Sequence, residues 1–340
     1  MDIEFHFYVT YILAKAAGFS EDDSYIIGYS SQYVDDNDTR YSINKGKEDE
    51  YKNYISQTID ILKPRKKLMR IYPCFHFVPG DYSCECTRRK DGKLSILNTT
   101  PNSLNGNILI EEALSTGNPY RIGIASHSFA DTWAHQNFVG YFDSFNGVGG
   151  VLETITPNIG HADVQRQPDI PSLYWKDPRL ITENMEINNK RRFIEAAENI
   201  FRKYTKHLKV TDNDQVDNRW KELKVQIEEA FGDEFSGKDR TRKERIVRCR
   251  KLLKKWTGNS RDYDKDHWFD EAIETKTRGL PDRPNIPLIG KIEIFPDKYL
   301  KKKEFEDSHW YKFQEAVKEH QEFAEDLYGD IFRQMEVEEY

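Results

Sequence analysis

The sequence predicts an all-α fold: a multi-helical core followed by a C-terminal helical extension. Three observations carry that expectation. Residues 3–17 present a broad apolar helical face. Residues 119–142 form a second apolar stretch with helical spacing. From about residue 182 the chain becomes strongly charged yet keeps a helical pattern over 182–208, 214–231, 238–257 and 307–336.

The elements follow in order. Gly18 after the first helix suits a left-handed C-cap. Ser20 followed by Asp23 resembles a capping box and opens a second helix through Tyr33. That helix runs into Asp35-Asp36-Asn37-Asp38, where carboxylates meet the negative end of the helix dipole. A bound cation would relieve that cost; a solvated helix end is the plainer explanation. Residues 68–100 read as irregular chain or short strands, punctuated by Pro73, Pro79-Gly80 and Asp91-Gly92, with Pro101 just beyond. Gly147, Gly149-Gly150 and Pro157 mark a loop into 158–171, and a Pro-rich connector covers 279–290. The expected organisation is a metal-binding core over 1–180 with a charged extension over 181–340 packed on it.

The chain has 340 residues, enough for one large or two ordinary domains. Its net charge of −7 argues against bulk attraction to nucleic acid or anionic lipid, although a local basic patch remains open. No apolar run reaches the length of a membrane span. The N-terminal segment opens on acidic residues rather than the basic start of a secretory signal, so a cytoplasmic protein is expected. Four cysteines (Cys74, Cys84, Cys86, Cys249) do not make a disulfide framework in a chain of this size.

Chemistry concentrates in the second apolar stretch. Although 32% of the chain is charged, Asp131 is the one Asp, Glu, Lys or Arg between Ile122 and Phe142. A buried carboxylate needs a partner, and His127 and His135 stand four residues to either side. On a helix the three positions fall within about 80° of one face. Two imidazoles and a carboxylate are the ligand types that zinc takes; the alternative is an aspartate held by two structural histidines. His6 on the first helix, Asp35 and Asp36 at the end of the second, His76 between aromatics, and His161 with Asp163 and Asp169 nearby extend the pattern. Taken singly, each also reads as an ordinary core, loop or surface residue. The other four histidines (His207, His267, His309, His320) lie in charged segments and read as surface.

Two further features compete for attention. Cys74, His76, Cys84 and Cys86 lie close enough in sequence to form a separate zinc knuckle that would withdraw His76, with reduced unliganded cysteines as the alternative. Residues 238–257 are strongly basic and align Ile246, Cys249, Leu253 and Trp256 on one stripe. Such a helix can lie on an anionic membrane or track a phosphate backbone, helped by Lys190-Arg191-Arg192 and Arg202-Lys203, or it packs its stripe on the core.

The order of these residues resembles the zinc-dependent phospholipase C family and the single-strand-specific nucleases that share its fold. It is similar too to a group of uncharacterised bacterial proteins with the same opening and the same "VDD" and "HQNF" stretches. The first resemblance covers roughly residues 1–175. It implies a helical domain holding up to three zinc ions, with His6, Asp35 or Asp36, His76, His127, Asp131, His135 and His161 as ligands in that order. One ion would take His127, His76, Asp131 and Asp35 or Asp36. A second would take His6 and Asp131, with the Met1 amine as a possible ligand and Asp131 bridging. The third would take His135, His161 and a loop carboxylate. The family's last carboxylate falls on Gln165 here, so Asp163 or Asp169 must replace it. The step from Asp131 to His135 is also shorter than the family's.

What the resemblance implies is a metal-dependent phosphodiester hydrolase, phospholipase C-like or nuclease-like, acting through a metal-bound hydroxide. Asp131 would bridge ions, and Asp35 or Asp36 would orient the attacking water. The substrate would be a phospholipid or a nucleic acid, with contact to anionic membrane or nucleic acid through 238–257. The alternative is a non-catalytic, metal-stabilised helical protein that binds a partner through its basic helices.

Overall fold

In the computed structural model, residues 1–58, 71–148, 160–277, 285–286, 290–291 and 297–335 are described. The protein is mostly helical with a few small sheets. The first expected helix begins as a π-helical segment, Glu4–Val9, and continues as α1 (Thr10–Ala17), closed by Gly18 at φ 116°. Ser20 caps α2 (Glu21–Asp36) by accepting from the Asp23 amide. This helix runs beyond Tyr33 and so carries Asp35 and Asp36 in its last turn.

Between residues 71 and 100 the chain forms no named strand. The irregular one of the two expected readings holds, broken by a π-helical turn, Tyr72–His76, and a 3-10 turn, Glu85–Thr87. The helix α3 (Leu104–Thr116), with Ser103 as its cap, has no counterpart in the sequence reading. Then α4 (Pro119–Ala134) carries the apolar stretch, and it ends eight residues before the expected Phe142. The cause is local. His135 caps the helix, Asn137 turns left-handed at φ 73°, and its amide donates to Thr99. Asparagine tolerates that conformation better than most residues, and the following chain bridges Asn98 through Val139.

The second half supplies α5 (Asn189–His207), α6 (Asn213–Phe231), α7 (Arg242–Thr257), α8 (His267–Ala272), α9 (His309–Leu327) and α10 (Gly329–Gln334). The expected helix at 182–208 gives its start to a strand, and that at 307–336 divides in two. Strands β1 (Ser42–Ile43), β2 (Tyr51–Lys52), β5 (Ile273–Lys276) and β8 (Lys298–Lys301) form one sheet in the order β2-β1-β8-β5, with β1 and β8 parallel. Strands β3 (Tyr174–Lys176) and β4 (Glu186–Asn188) make an antiparallel ribbon; β6 (Asn285–Ile286) pairs with β7 (Gly290–Lys291). The expected loop residues 149–159 and connector residues 279–284 and 287–289 lie outside the described residues.

One apolar cluster runs through both halves. Phe5, Tyr11 and Ile124 from the first half pack with Phe193, Trp268 and Trp310 from the second. Residue 180 therefore does not divide two cores. The basic helix α7 turns its stripe inward: Cys249 and Leu253 are buried, and Ile246 and Trp256 lie against the core. His320, expected at the surface, is fully buried on α9. Its neighbours are charged, but Phe313, Ala316, Val317 and Ala324 share its face.

Two glycines bring the site-bearing helices together. A Cβ on Gly123 of α4 would stand 2.5 Å from the Ile27 carbonyl oxygen of α2. A Cβ on Gly28 of α2 would meet Tyr11 Cβ at 2.7 Å and the Phe7 carbonyl at 3.0 Å. Absence of a side chain at both positions lets α2 lie directly on α4 and on the segment carrying His6.

Candidate metal centre

Five chain segments deliver side chains to one place. The π-helical segments Glu4–Val9 and Tyr72–His76 carry His6 and His76. Wide turns of this kind recur at functional sites because they re-aim a side chain. The helix α4 supplies His127 and Asp131, and its cap supplies His135. The end of α2 contributes Asp35, and the loop after residue 160 contributes His161 and Asp169.

Asp131 is 1% exposed and stands at the centre. Its Oδ1 lies 3.2 Å from His6 Nε2 and 2.5 Å from the Met1 α-amino nitrogen. Its Oδ2 lies 3.2 Å from His127 Nε2 and 3.5 Å from both His76 Nδ1 and His135 Nδ1. The two oxygens thus face different groups. Asp35 Oδ1 closes the first group, 3.7 Å from His76 Nδ1 and 3.8 Å from His127 Nε2. A separate trio forms where Asp169 Oδ1 meets His135 Nε2 at 3.1 Å and its Oδ2 meets His161 Nε2 at 3.3 Å.

Backbone carbonyls fix the histidine tautomers. A carbonyl only accepts, so the ring nitrogen facing it carries the proton. His76 Nε2 donates to Ser56 O at 2.9 Å and His127 Nδ1 to Ser31 O at 2.7 Å. His135 Nδ1 donates to His76 O and His161 Nδ1 to Gln165 O, each at 2.6 Å. In every case the other nitrogen points into the site. This arrangement characterises metal-ligating histidines. The consequence is sharpest between His127 Nε2 and His76 Nδ1, which face each other at 3.0 Å. Were both imidazoles neutral in these tautomers they would present lone pair to lone pair, so the contact calls for a cation or a proton between them.

The electrostatics agree. Burial, then His127 and the Met1 amine, push His6 well below the usual histidine range and keep it neutral. Burial resists ionisation of Asp131, but His135, the amine, His127 and His6 outweigh it and hold the carboxyl low. Asp169 behaves alike, with burial outweighed by His161, the amine and His135. Asp35 is pushed up to about 8, chiefly by burial, with Asp131 and Asp169 adding repulsion. Burial also lowers His161.

The described residues include three groups able to hold a metal ion: His6, His127 and Asp131; Asp35, His76 and His127; and His135, His161 and Asp169. Ligands of a tetrahedral zinc with ~2.0–2.2 Å bonds stand about 3.3–3.6 Å apart. The separations of 3.0 to 3.8 Å around His76, His127, Asp131 and Asp35 bracket that spacing.

The remaining expectations fall out as follows. Asp36 turns away: it accepts from Tyr263 Oη at 2.6 Å and Gln32 Nε2 at 3.1 Å and joins none of the groups. Successive helix residues point about 100° apart, so only one of the two acids faces inward. Asp163 sits in the 3-10 turn Ala162–Val164; its side chain lies outside the described residues. Asp169 supplies the late carboxylate, while Gln165 gives a carbonyl to His161 instead of a ligand. The cysteine knuckle is overturned, because Cys84 and Cys86 form a disulfide with each other and Cys74 is buried outside that disulfide.

A cleft of about 550 Å³ opens beside the groups, lined by Asp35, His76, His135, His161 and Asp169. Gln57, Thr58 and Tyr72 line it too, and nothing in their sequence context marked them. No lysine or arginine occurs among its described lining residues. The arginines of α7 have internal partners: Arg245 pairs with Glu4 and Asp239, Arg250 with Asp262, and Arg248 donates to Ala230 O. No helix among the described residues is long and apolar enough to cross a membrane.

Fold and side chains together define a mostly helical protein with clustered histidines and aspartates able to hold metal ions. The chain belongs to the DUF6765 family, described as a family of unknown function, whose model matches residues 1–327. No curated protein and no solved structure matches the chain.

Proposed function

We propose that this protein is a metal-dependent phosphodiester hydrolase with a phospholipase C-like core and that its metal is zinc. The observation that carries the reading is the 3.0 Å approach of His127 Nε2 and His76 Nδ1, whose opposite ring nitrogens each donate to a backbone carbonyl. His76, His127, Asp35 and Asp131 Oδ2 would hold the first ion. His6 and Asp131 Oδ1, next to the Met1 amine, would hold the second, and His135, His161 and Asp169 the third. Divalent ions bound there supply positive charge for a phosphodiester and acidify a water to near neutral pH. The chain's own residues set the geometry: Asp131 ties two groups together, the carbonyls of Ser31, Ser56, His76 and Gln165 aim the imidazoles, and the cleft admits substrate beside Asp35 and Asp169. With no lysine or arginine among the described lining residues, the bound ions carry the positive charge that an anionic ester needs.

The test is turnover of bis-p-nitrophenyl phosphate by zinc-loaded protein. Activity is expected to vanish with a chelator and return with zinc. Fully loaded protein inert toward that ester, phospholipid vesicles and single-stranded DNA would favour the metal-stabilised binding protein. Steep salt dependence on DNA would mark a nuclease; vesicle hydrolysis would mark a phospholipase.

A further inference from the structure

We infer that Asn37 is a positioning residue for the first metal group, holding in register the segment that orients His76 and itself held by Gln314 from the C-terminal half. The inference rests on the metal reading above. Asn37 follows Asp35 by two residues, closes α2 with its amide donating to Tyr33 O, and is 4% exposed. Its carboxamide nitrogen donates to Tyr54 O at 2.8 Å and to Ser56 Oγ at 3.1 Å. Its backbone carbonyl accepts from the amides of Ser56 at 3.1 Å and Gln57 at 3.3 Å. Four bonds thus fasten residues 54–57 to the helix end that bears Asp35.

Ser56 passes the constraint onward. Its hydroxyl donates to Val34 O at 2.9 Å, and its carbonyl accepts from His76 Nε2 at 2.9 Å. That last bond decides which nitrogen of His76 faces the site. From the other side, Gln314 on α9, fully buried, donates from Nε2 to Asn37 Oδ1 at 2.9 Å. This bond fixes the carboxamide orientation: a flipped amide would present its NH₂ to the Gln314 donor and its oxygen to the Tyr54 carbonyl. One side chain therefore sets the spacing between a ligand on α2 and the carbonyl that orients a second ligand, under control of a helix nearly 280 residues away in sequence.

Asn37→Asp keeps the shape and removes both donors. The experiment is titration of the full chain with Co²⁺ alone, followed by visible absorption and equilibrium dialysis. Each variant is made in the wild-type sequence and also with His161→Ala, which disables the third group and so assigns the positions. The expected result is roughly a 10–100-fold loss of affinity at the first position, the range for removal of an outer partner of a ligating histidine, with the third position unchanged. Gln314→Met, which spares the donors of Asn37, is expected to weaken the same position by less, and it carries the same test if Asn37→Asp does not fold. Unchanged affinity at the first position, or an equal loss at every position, would overturn the positioning role while leaving the hydrolase reading intact. A wild-type chain that takes up no Co²⁺ would overturn both.

Discussion

Two clusters of buried ionisable groups begin two residues apart, at Glu4 and His6, and they are built differently. Around Glu4 each buried charge meets an opposite one: Arg245, fully buried, bonds Glu4 at 3.1 Å and Asp239 at 2.7 Å. Around His6 the groups are carboxylates and imidazoles, with His6 itself held neutral by burial, and among the described residues the Met1 amine is the cation paired with Asp131 and Asp169. Asp131 Oδ2 and both ring nitrogens of His6 are buried without a hydrogen-bond partner. A buried charge left unpaired is expensive. Glu4 Oε2 also lacks a hydrogen-bond partner, but its carboxylate faces a buried arginine, whereas Asp131 has the Met1 amine on Oδ1 and only imidazoles around Oδ2. The comparison separates a structural ion network from a candidate metal site, although both lie under the same core.

The largest test of that difference is Asp131→Asn. It removes the carboxylate that faces two groups, so the first and second ions should be lost and hydrolysis should fall by at least ~100-fold. Metal analysis that finds every equivalent retained would erase the distinction. Arg245→Met should behave in the opposite way. Breaking one partner of a buried pair is expected to cost about 3–5 kcal/mol of stability, read by denaturant unfolding, while the third group keeps its metal. Gly123→Ala should cost about 1–3 kcal/mol through overpacking against Ile27 O, read in the same way, with metal loss confined to groups that span α2 and α4.

Two pH experiments sharpen the comparison further. Asp35 is pushed up to about 8, so at pH 7 it holds a proton that a bound zinc ion would displace. Apparent zinc affinity is therefore expected to rise with pH up to about 8, and the binding enthalpy to vary with the buffer's ionisation enthalpy. Buffer-independent heats would contradict this. His320 is a buried imidazole with no acid beside it; burial pushes it down to about 3. The unfolded chain binds a proton at this residue near pH 6.5 and the native chain does not. This residue's stabilising contribution is thus present above about pH 6.5 and lost as pH falls, by about 1.4 kcal/mol per unit down to about pH 3. A His320→Gln variant should show a correspondingly shallower slope between pH 6 and 4.

Much of the site was legible because it is local. His127, Asp131 and His135 announce themselves by four-residue spacing inside a stretch otherwise free of charge, and His6, His76 and His161 stand in apolar or loop contexts. What sequence could not resolve depends on where chains meet. Choosing Asp35 over Asp36 required knowing that Tyr263, more than 200 residues on, claims the second acid. Choosing Asp169 required the loop path that sets it between His135 and His161. The end of α4 turned on the capture of Asn137 by Thr99, and α3 was missed because its Leu109, Ile110 and Ala113 face the core in a short, weakly amphipathic pattern. The basic character of α7 was plain, but not that its arginines answer Glu4, Asp239 and Asp262.

The central claim is that cations occupy the spaces between these side chains, and anomalous diffraction at the zinc absorption edge from crystals of the purified protein tests it most directly. Peaks are predicted between His76 Nδ1 and His127 Nε2 and between His135 Nε2 and His161 Nε2, with a further peak beside His6. A map without peaks at these positions, from protein grown and purified with zinc present, would contradict the account.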